Sequence, residues 1–317
     1  MRAAFYLLKK LSSAAVTLFA ISLLTFFAFQ ILPGDPAAII LGVDADPLQV
    51  QALSKQMGLD LPIQQRYFNW VGGLFSGNLG VSLRYQVPVM ELIRDALPVT
   101  AGLTVLSLLI TVVLVVPVSV YLAKNNNKKL ATALSAVMQV GIAVPSFWLS
   151  ILLILVFSVA LRWLPSGDFI PFSQSFWGAV RSLVLPALSI SIGTTAVVIR
   201  YLKNTLLDQM NMDYVRTARS KGLTRNAVLY RHVLKNALLP TVTILGMIAV
   251  EVLGGSIIIE NVFNLPGIGR LLISGVGNRD FPLVQGLVFY LALTVVAINF
   301  LVDLLYAAID PRIRIDR

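Results

Sequence analysis

Six stretches of this 317-residue chain are long and apolar enough to cross a lipid bilayer: about 11–32, 101–123, 131–161, 182–199, 241–259 and 284–307. A crossing helix needs roughly 20 mostly apolar residues to span the hydrocarbon core. Composition agrees. The chain is 57% hydrophobic and only 13% charged, about half the charge content of an ordinary soluble domain. The expected fold is an all-α integral membrane protein with six transmembrane helices. There is no cysteine, which excludes disulfides, thiolate metal sites and a lipidated N-terminal cysteine.

The first run follows "MRAAFYLLKK" and ends in "LPGDP". It exceeds the usual apolar core of a signal peptide and lacks a small-x-small cleavage site, so it reads as an uncleaved signal-anchor helix. The third run is longer than one crossing and contains "AVPSFW". Pro145 lacks an N–H and disfavours helix at Val144, so a kink or a surface-lying extension is expected there. Pro186 is expected near the start of the fourth span or at a kink in it. With the N-terminus inside, segments 1–10, 124–130, 200–240 and 308–317 are cytoplasmic and hold 17 of the 25 Lys/Arg. That bias places both termini in the cytoplasm. A charge of +10 is then a matter of topology and calls for no nucleic-acid partner.

The organisation expected is an N-terminal region and first span at 1–32, an extracytoplasmic segment at 33–100, and a five-span core at 101–317. The outer segment mixes short amphipathic helical pieces with Gly/Pro turns in "PGDPAAIILG", "KQMGLDLPIQQRYFNWVGGLF" and "GNLGVS". It reads as a cap packed on the outer ends of the spans. No repeat of 20–50 residues is visible.

Between spans four and five lies "DYVRTARSKGLTRNAVLYRHVLKNALLP", residues 213–240, with six Lys/Arg, one acid and the chain's single histidine, His232. Tyr214, Val215 and Ala218 recur at helical spacing. Gly222 tolerates the left-handed dihedrals that end a helix, and Thr224 is a fair N-cap for a second one. On that second helix Ala227, Tyr230, Leu234 and Leu238 form an apolar stripe, with Arg225, Arg231 and Lys235 off it. Pro240 suits the start of span five. Two readings remain open on these residues alone. The helices could lie at the lipid headgroups, basic face outward, or they could be a knob gripped by a cytoplasmic protein.

The loop, through "DYVRTARSKGL" and "RHVLKNALLP", resembles the conserved coupling loop of permease subunits of ATP-binding-cassette importers, specifically the peptide and nickel branch. It reads Arg216-Thr217-Ala218 where the general pattern has Glu-Ala-Ala, a variant familiar in that branch. "PGDP", "MGLDLPIQQRY", "GNLGVS", "VPSFWLSILLI", "LPAL", "GGSIIIENVFNLPGIGRLL", "NRDFPLVQGL" and "NFLVDLLYAAIDPRIR" extend the resemblance, in order, over nearly the whole chain. It implies a type I importer permease fold and half of a translocation pathway. The implied partners are a second homologous permease, two ATPase subunits, an extracytoplasmic binding protein and membrane lipid. ATP and Mg would be used by those ATPases, with no cofactor bound here. The coupling loop, at about 200–240, would present Tyr214, Arg216, Thr217, Ala218, Lys221, Gly222, Leu223, Tyr230, His232, Leu234 and Asn236. The implied cargo is a di- or oligopeptide, with nickel or a metal chelate as the alternative.

Enzyme chemistry finds no support. There is no G-x-x-x-x-G-K-[ST] phosphate loop, and His232 has no metal-ligating cluster around it in sequence. An intramembrane protease would need a catalytic pair inside the spans. Within the spans, Glu251 in "GMIAVEVLGG" has no basic neighbour in sequence. A charge there is costly unless paired or wet, so it either faces a translocation path or is a packed, hydrogen-bonded carboxyl at a subunit contact. Gln139 and Ser146 are further candidates for the path, with Asn299 and Asp303 lesser ones. Asp303 is expected to pair with a basic residue such as Arg312. Gly254-Gly255 would permit close backbone approach, to another helix or to the path. A self-sufficient secondary transporter or channel would need coupling-ion groups or an internal repeat, and one mid-span acid is thin support for it.

Overall fold

The computed structural model describes residues 2–31, 36–42, 45–56 and 58–309. Most of "PGDP", Met57 and the C-terminal "DPRIRIDR" with Arg312 lie outside them. Thirteen α-helices are seen among the described residues: α1 Arg2–Ile31, α2 Pro36–Leu41, α3 Pro47–Gln56, α4 Ile63–Phe75, α5 Val89–Lys124, α6 Lys129–Ala143, α7 Ser146–Leu153, α8 Phe176–Met210, α9 Asp213–Ser220, α10 Arg225–Val228, α11 Leu234–Val262, α12 Ile268–Gly277 and α13 Phe281–Ile309. α7 continues as a π-helix over Ile154–Ala160, and a π-helical turn at Leu229–Val233 joins α10 to α11.

Five stretches are apolar and long enough to cross a membrane: Leu8–Ala28, Val89–Lys124, Phe176–Met210, Arg225–Val262 and Phe281–Leu304. The sixth expected span is a bent pair, Lys129–Ala143 with Ser146–Ala160, meeting at 106°. Its cause is local. Val144 and Pro145 are both extended, at ψ 124° and 137°, because the proline ring excludes helix from the residue before it. Pro186, by contrast, sits inside α8, which runs on through it.

The chain forms two compact units, Met1–Val99 with Pro266–Ala297, and Thr100–Leu265 with Ile298–Arg317. In the first, Leu79, Val89, Ile93, Ala96, Ile268, Leu283 and Leu287 make a buried core. Asp280, 1% exposed, pins the loop between α4 and α5. Its carboxylate accepts from Ser82 Oγ at 2.5 Å, from the backbone N–H of Leu83 at 3.1 Å and Arg84 at 3.2 Å, and from that of Leu283 at 3.3 Å.

In the second unit α8 is the hub, packed on α6, α7 and α11. Two-thirds of its apolar stretch is buried. Hydroxyls tie α5 to α8: Thr195 Oγ1 donates to Thr111 Oγ1 at 3.1 Å and Ser119 Oγ to the Ile199 carbonyl at 3.3 Å. Small hydroxyl residues let helices approach closely without stranding polar groups. The tightest glycine contact in this unit is Gly246, where a Cβ would clash with Val302 of α13. At Gly254 and Gly255 a Cβ would meet nothing within 4 Å, so the chain does not itself use them for helix packing.

Candidate functional site

The basic loop is built as a capped corner. α9 carries Asp213 in its first turn and Arg219 in its last, each favourable to the helix dipole. Tyr214 Oη donates to Gln209 Oε1 at 2.8 Å, tying α9 to the end of α8. Val215 and Ala218 are buried, as their spacing predicts. Gly222 has φ +81°. Its N–H bonds the Arg219 carbonyl at 2.9 Å, and the Leu223 N–H bonds the Ala218 carbonyl at 3.3 Å. These are the two bonds of a Schellman cap, which needs a left-handed residue at this position. Thr224 Oγ1 then accepts from the Ala227 N–H at 3.3 Å, starting the second helix.

The apolar stripe of the second helix is only partly covered within the chain. Ala227, Leu234 and Leu238 are only half-buried, and Tyr230 is 55% exposed. The inward face is Val228, Leu229, Val233 and Ala237. The π-helical turn over Leu229–Val233 bonds i to i+5 rather than i to i+4 and so lengthens the turn. Residues four apart then stay aligned. The spacing of Leu229, Val233 and Ala237 was a signal available in the sequence.

The exposed surface combines six cations with isolated apolar groups. Arg216, Arg219, Lys221, Arg225, Arg231 and Lys235 are all exposed, as are Thr217, Gly222, His232 and Asn236. Met212, Leu223 and Tyr230 lie among them, also exposed. The Arg216–Asp213 pair at 3.5 Å is almost fully solvated and contributes little. A small cleft beside α9 is lined by Val215, Leu229 and Val233 and by the basic Lys124, Arg219 and Arg225.

Glu251 lies well inside α11 and is exposed, on a face shared with Thr243, Met247, Gly254 and Ile258. No basic residue occurs in α11 after Lys235. The structure does not gather the other path candidates around it. The exposed Gln139 accepts from Arg200 Nη1 at 3.4 Å. Half-buried Ser146 opens α7, its carbonyl accepting from Ser150 Oγ at 2.9 Å. α7 does pack against α11. Asn299 is exposed and Asp303 half-buried. Two buried acids escaped the sequence reading, Asp280 and Glu260. Glu260 Oε1 accepts from Thr100 Oγ1 at 2.7 Å. The side chain that holds each lies far off in sequence, Ser82 for Asp280 and Thr100 for Glu260.

Long apolar helices carrying a capped, basic corner between two of them define a multi-pass membrane protein. The chain belongs to the family of binding-protein-dependent transport system inner membrane components. Residues 115–315 match that family and residues 3–104 its N-terminal region. It is 39% identical over 310 residues to a Brucella abortus protein bearing the name of a peptide transport system permease, covering 98% of this chain and 99% of that one. It is 34% identical to the oligopeptide transport system permease protein AppB of Bacillus subtilis (97% and 98% covered) and 36% identical to the glutathione transport system permease protein GsiC of Escherichia coli O6:H1 (98% of each). Among solved structures, an inward-facing crystal form of the MetNI methionine ABC transporter has a chain that aligns with TM-score 0.55 and 18% identity. The alignment covers 70% of this chain and 97% of that one, so the type I permease fold is shared. The chain is thus a permease subunit of an importer, resident in the inner membrane.

Proposed function

We propose that this permease forms half of a translocation pathway for di- or oligopeptides and couples it to cytoplasmic ATPases. Similarity over nearly the full chain to proteins named for peptide, oligopeptide and glutathione transport carries the choice of cargo. A second homologous permease supplies the other half, and an extracytoplasmic binding protein delivers substrate. Two ATPase subunits dock on α9 and α10, where Leu223 and Tyr230 stand among the six cations. They bind the ATP and Mg, and this chain performs no catalysis. When ATP closes the ATPase pair, the capped corner moves as a lever and the pathway changes the side to which it opens.

Glu251 faces that pathway. A mid-span carboxylate on an exposed helix face is strongly disfavoured against lipid, and nothing in α11 neutralises it. The test is co-expression with the chromosomal neighbours, purification by a tag on this chain, and assay of ATPase activity with binding protein loaded with peptide or with nickel. Co-purifying ATPases stimulated by peptide-loaded protein are expected. Stimulation by nickel alone overturns the cargo, and a chain that purifies without any ATPase overturns the coupling role.

A further inference from the structure

Helix α4, in the outer segment, presents three faces. Tyr67, Trp70 and Leu74, at spacings of three and four, turn inward. Tyr67 is 7% exposed and its hydroxyl hydrogen-bonds Ser22 Oγ of α1 at 2.8 Å. Its ring and that of Trp70 pack on Phe26 of α1, with centroids at 5.3 and 6.0 Å, and Trp70 also meets Phe289 of α13 at 6.2 Å. Gln65 and Asn69 form a polar face. Phe68, Gly72 and Phe75, with Gln64 one turn before Phe68, form a third, uncharged face, on which Phe68 is 69% and Phe75 90% exposed. A helix with one wet face and one bare aromatic face is the pattern of an in-plane membrane helix.

Depth decides what covers the aromatic face. The apolar run of α1 continues in the sequence to about residue 32, and the contacts of α4 on it, Ser22 and Phe26, lie ten and six residues short of that end. At about 1.5 Å per residue, α4 meets α1 roughly 9–15 Å inside the apolar run. α4 therefore lies alongside the last turns of the span and not beyond them. On α1, Leu24 and Phe27 in the same stretch of the span are exposed as well.

We infer that α4 is an in-plane helix of the outer leaflet, with Phe68 and Phe75 inserted among lipid acyl chains and Gln65 and Asn69 turned to the headgroups and water. Aromatic rings concentrate at that boundary. The outer segment would then anchor the start of α5 and the end of α1 to one depth in the bilayer.

The chain has no cysteine, so Phe68→Cys, Phe75→Cys, Gln65→Cys and Asn69→Cys can each carry one nitroxide label without further change. Full-length chain in phosphatidylethanolamine/phosphatidylglycerol nanodiscs is examined by spin-label power saturation with oxygen and with a water-soluble nickel complex. It is then examined again with whatever subunits co-purify. The ratio of oxygen to nickel accessibility should be several-fold higher at 68 and 75 than at 65 and 69, with and without partners. Equal ratios at the four positions overturn the proposal. So does loss of both collisions at 68 and 75 on assembly, which would mean that a protein covers this face. The readout involves neither cargo nor ATP, so it is independent of the peptide assignment.

Discussion

Gly222 offers a clean perturbation of the coupling corner, because its constraint is purely one of backbone conformation. It stands at φ +81°, and a Cβ added there would meet nothing within 4 Å. A substituted side chain therefore brings no steric clash within the chain, only the left-handed penalty, about 1–2 kcal/mol for an ordinary L-residue and less for asparagine. Both bonds of the cap, from the N–H groups of Gly222 and Leu223, depend on that conformation. A cost of one or two kcal/mol lowers the population of the capped corner relative to alternatives by a factor of about 5–30. In the series Gly222→Asn, Gly222→Ala and Gly222→Val, coupled uptake per inserted molecule should fall in that order, with valine worst because a β-branched residue is least at ease at positive φ. Membrane insertion, measured by the amount of chain in extracted membranes, should stay constant. Wild-type uptake by the valine variant would refute the idea that the capped corner transmits force. Equal loss in all three would show that a partner touches the new Cβ, and would refute the conformational reasoning.

Glu251→Gln keeps shape and removes charge. If the carboxylate lines the path, uptake of cationic peptides should drop several-fold while uptake of neutral ones changes little, as read by competition between labelled peptides. Asp280→Ala should be among the most destabilising single changes in the outer region. It strands the buried Ser82 hydroxyl and the N–H of Leu283 along with the N–H groups of Leu83 and Arg84, at about 1–3 kcal/mol for each buried donor left unsatisfied. A thermal midpoint in detergent within a degree of the parent chain would contradict that account of the clasp.

Hydropathy located the helices but not their ends, for a physical reason. An apolar run reports only the depth of chain that must avoid water, whereas backbone hydrogen bonding carries a helix on into water. The fourth run covers 182–199, yet α8 extends from Phe176, capped by Ser175 Oγ accepting from the Gly178 N–H at 3.0 Å, to Met210. Features set by one residue's own dihedrals were legible: the break at Val144-Pro145, the turn at Gly222, the cap at Thr224. Features set by a distant partner were not. Asp280 is fixed by Ser82, 198 residues away, and Glu260 by Thr100, 160 away. In neither case does anything near the acid in sequence distinguish it from a solvated one.

The π-helical turn bears most on function, because it sets the position of one aromatic. On a regular wheel Tyr230 joins Ala227, Leu234 and Leu238 in one apolar stripe. With the π-helical turn in place, Leu229, Val233 and Ala237 seat it, and Tyr230 is turned out beside Arg231 and His232. Tyrosine and arginine are the residue types in which binding energy concentrates at interfaces. The lengthened turn therefore performs two tasks. It keeps an apolar spacing of four in register against the helices behind it, and it leaves an aromatic ring on the exposed surface of the basic corner. A π-helical turn is less stable than the α-helix that could replace it. Its occurrence between the capped corner and a membrane span fits a site held for contact with a partner.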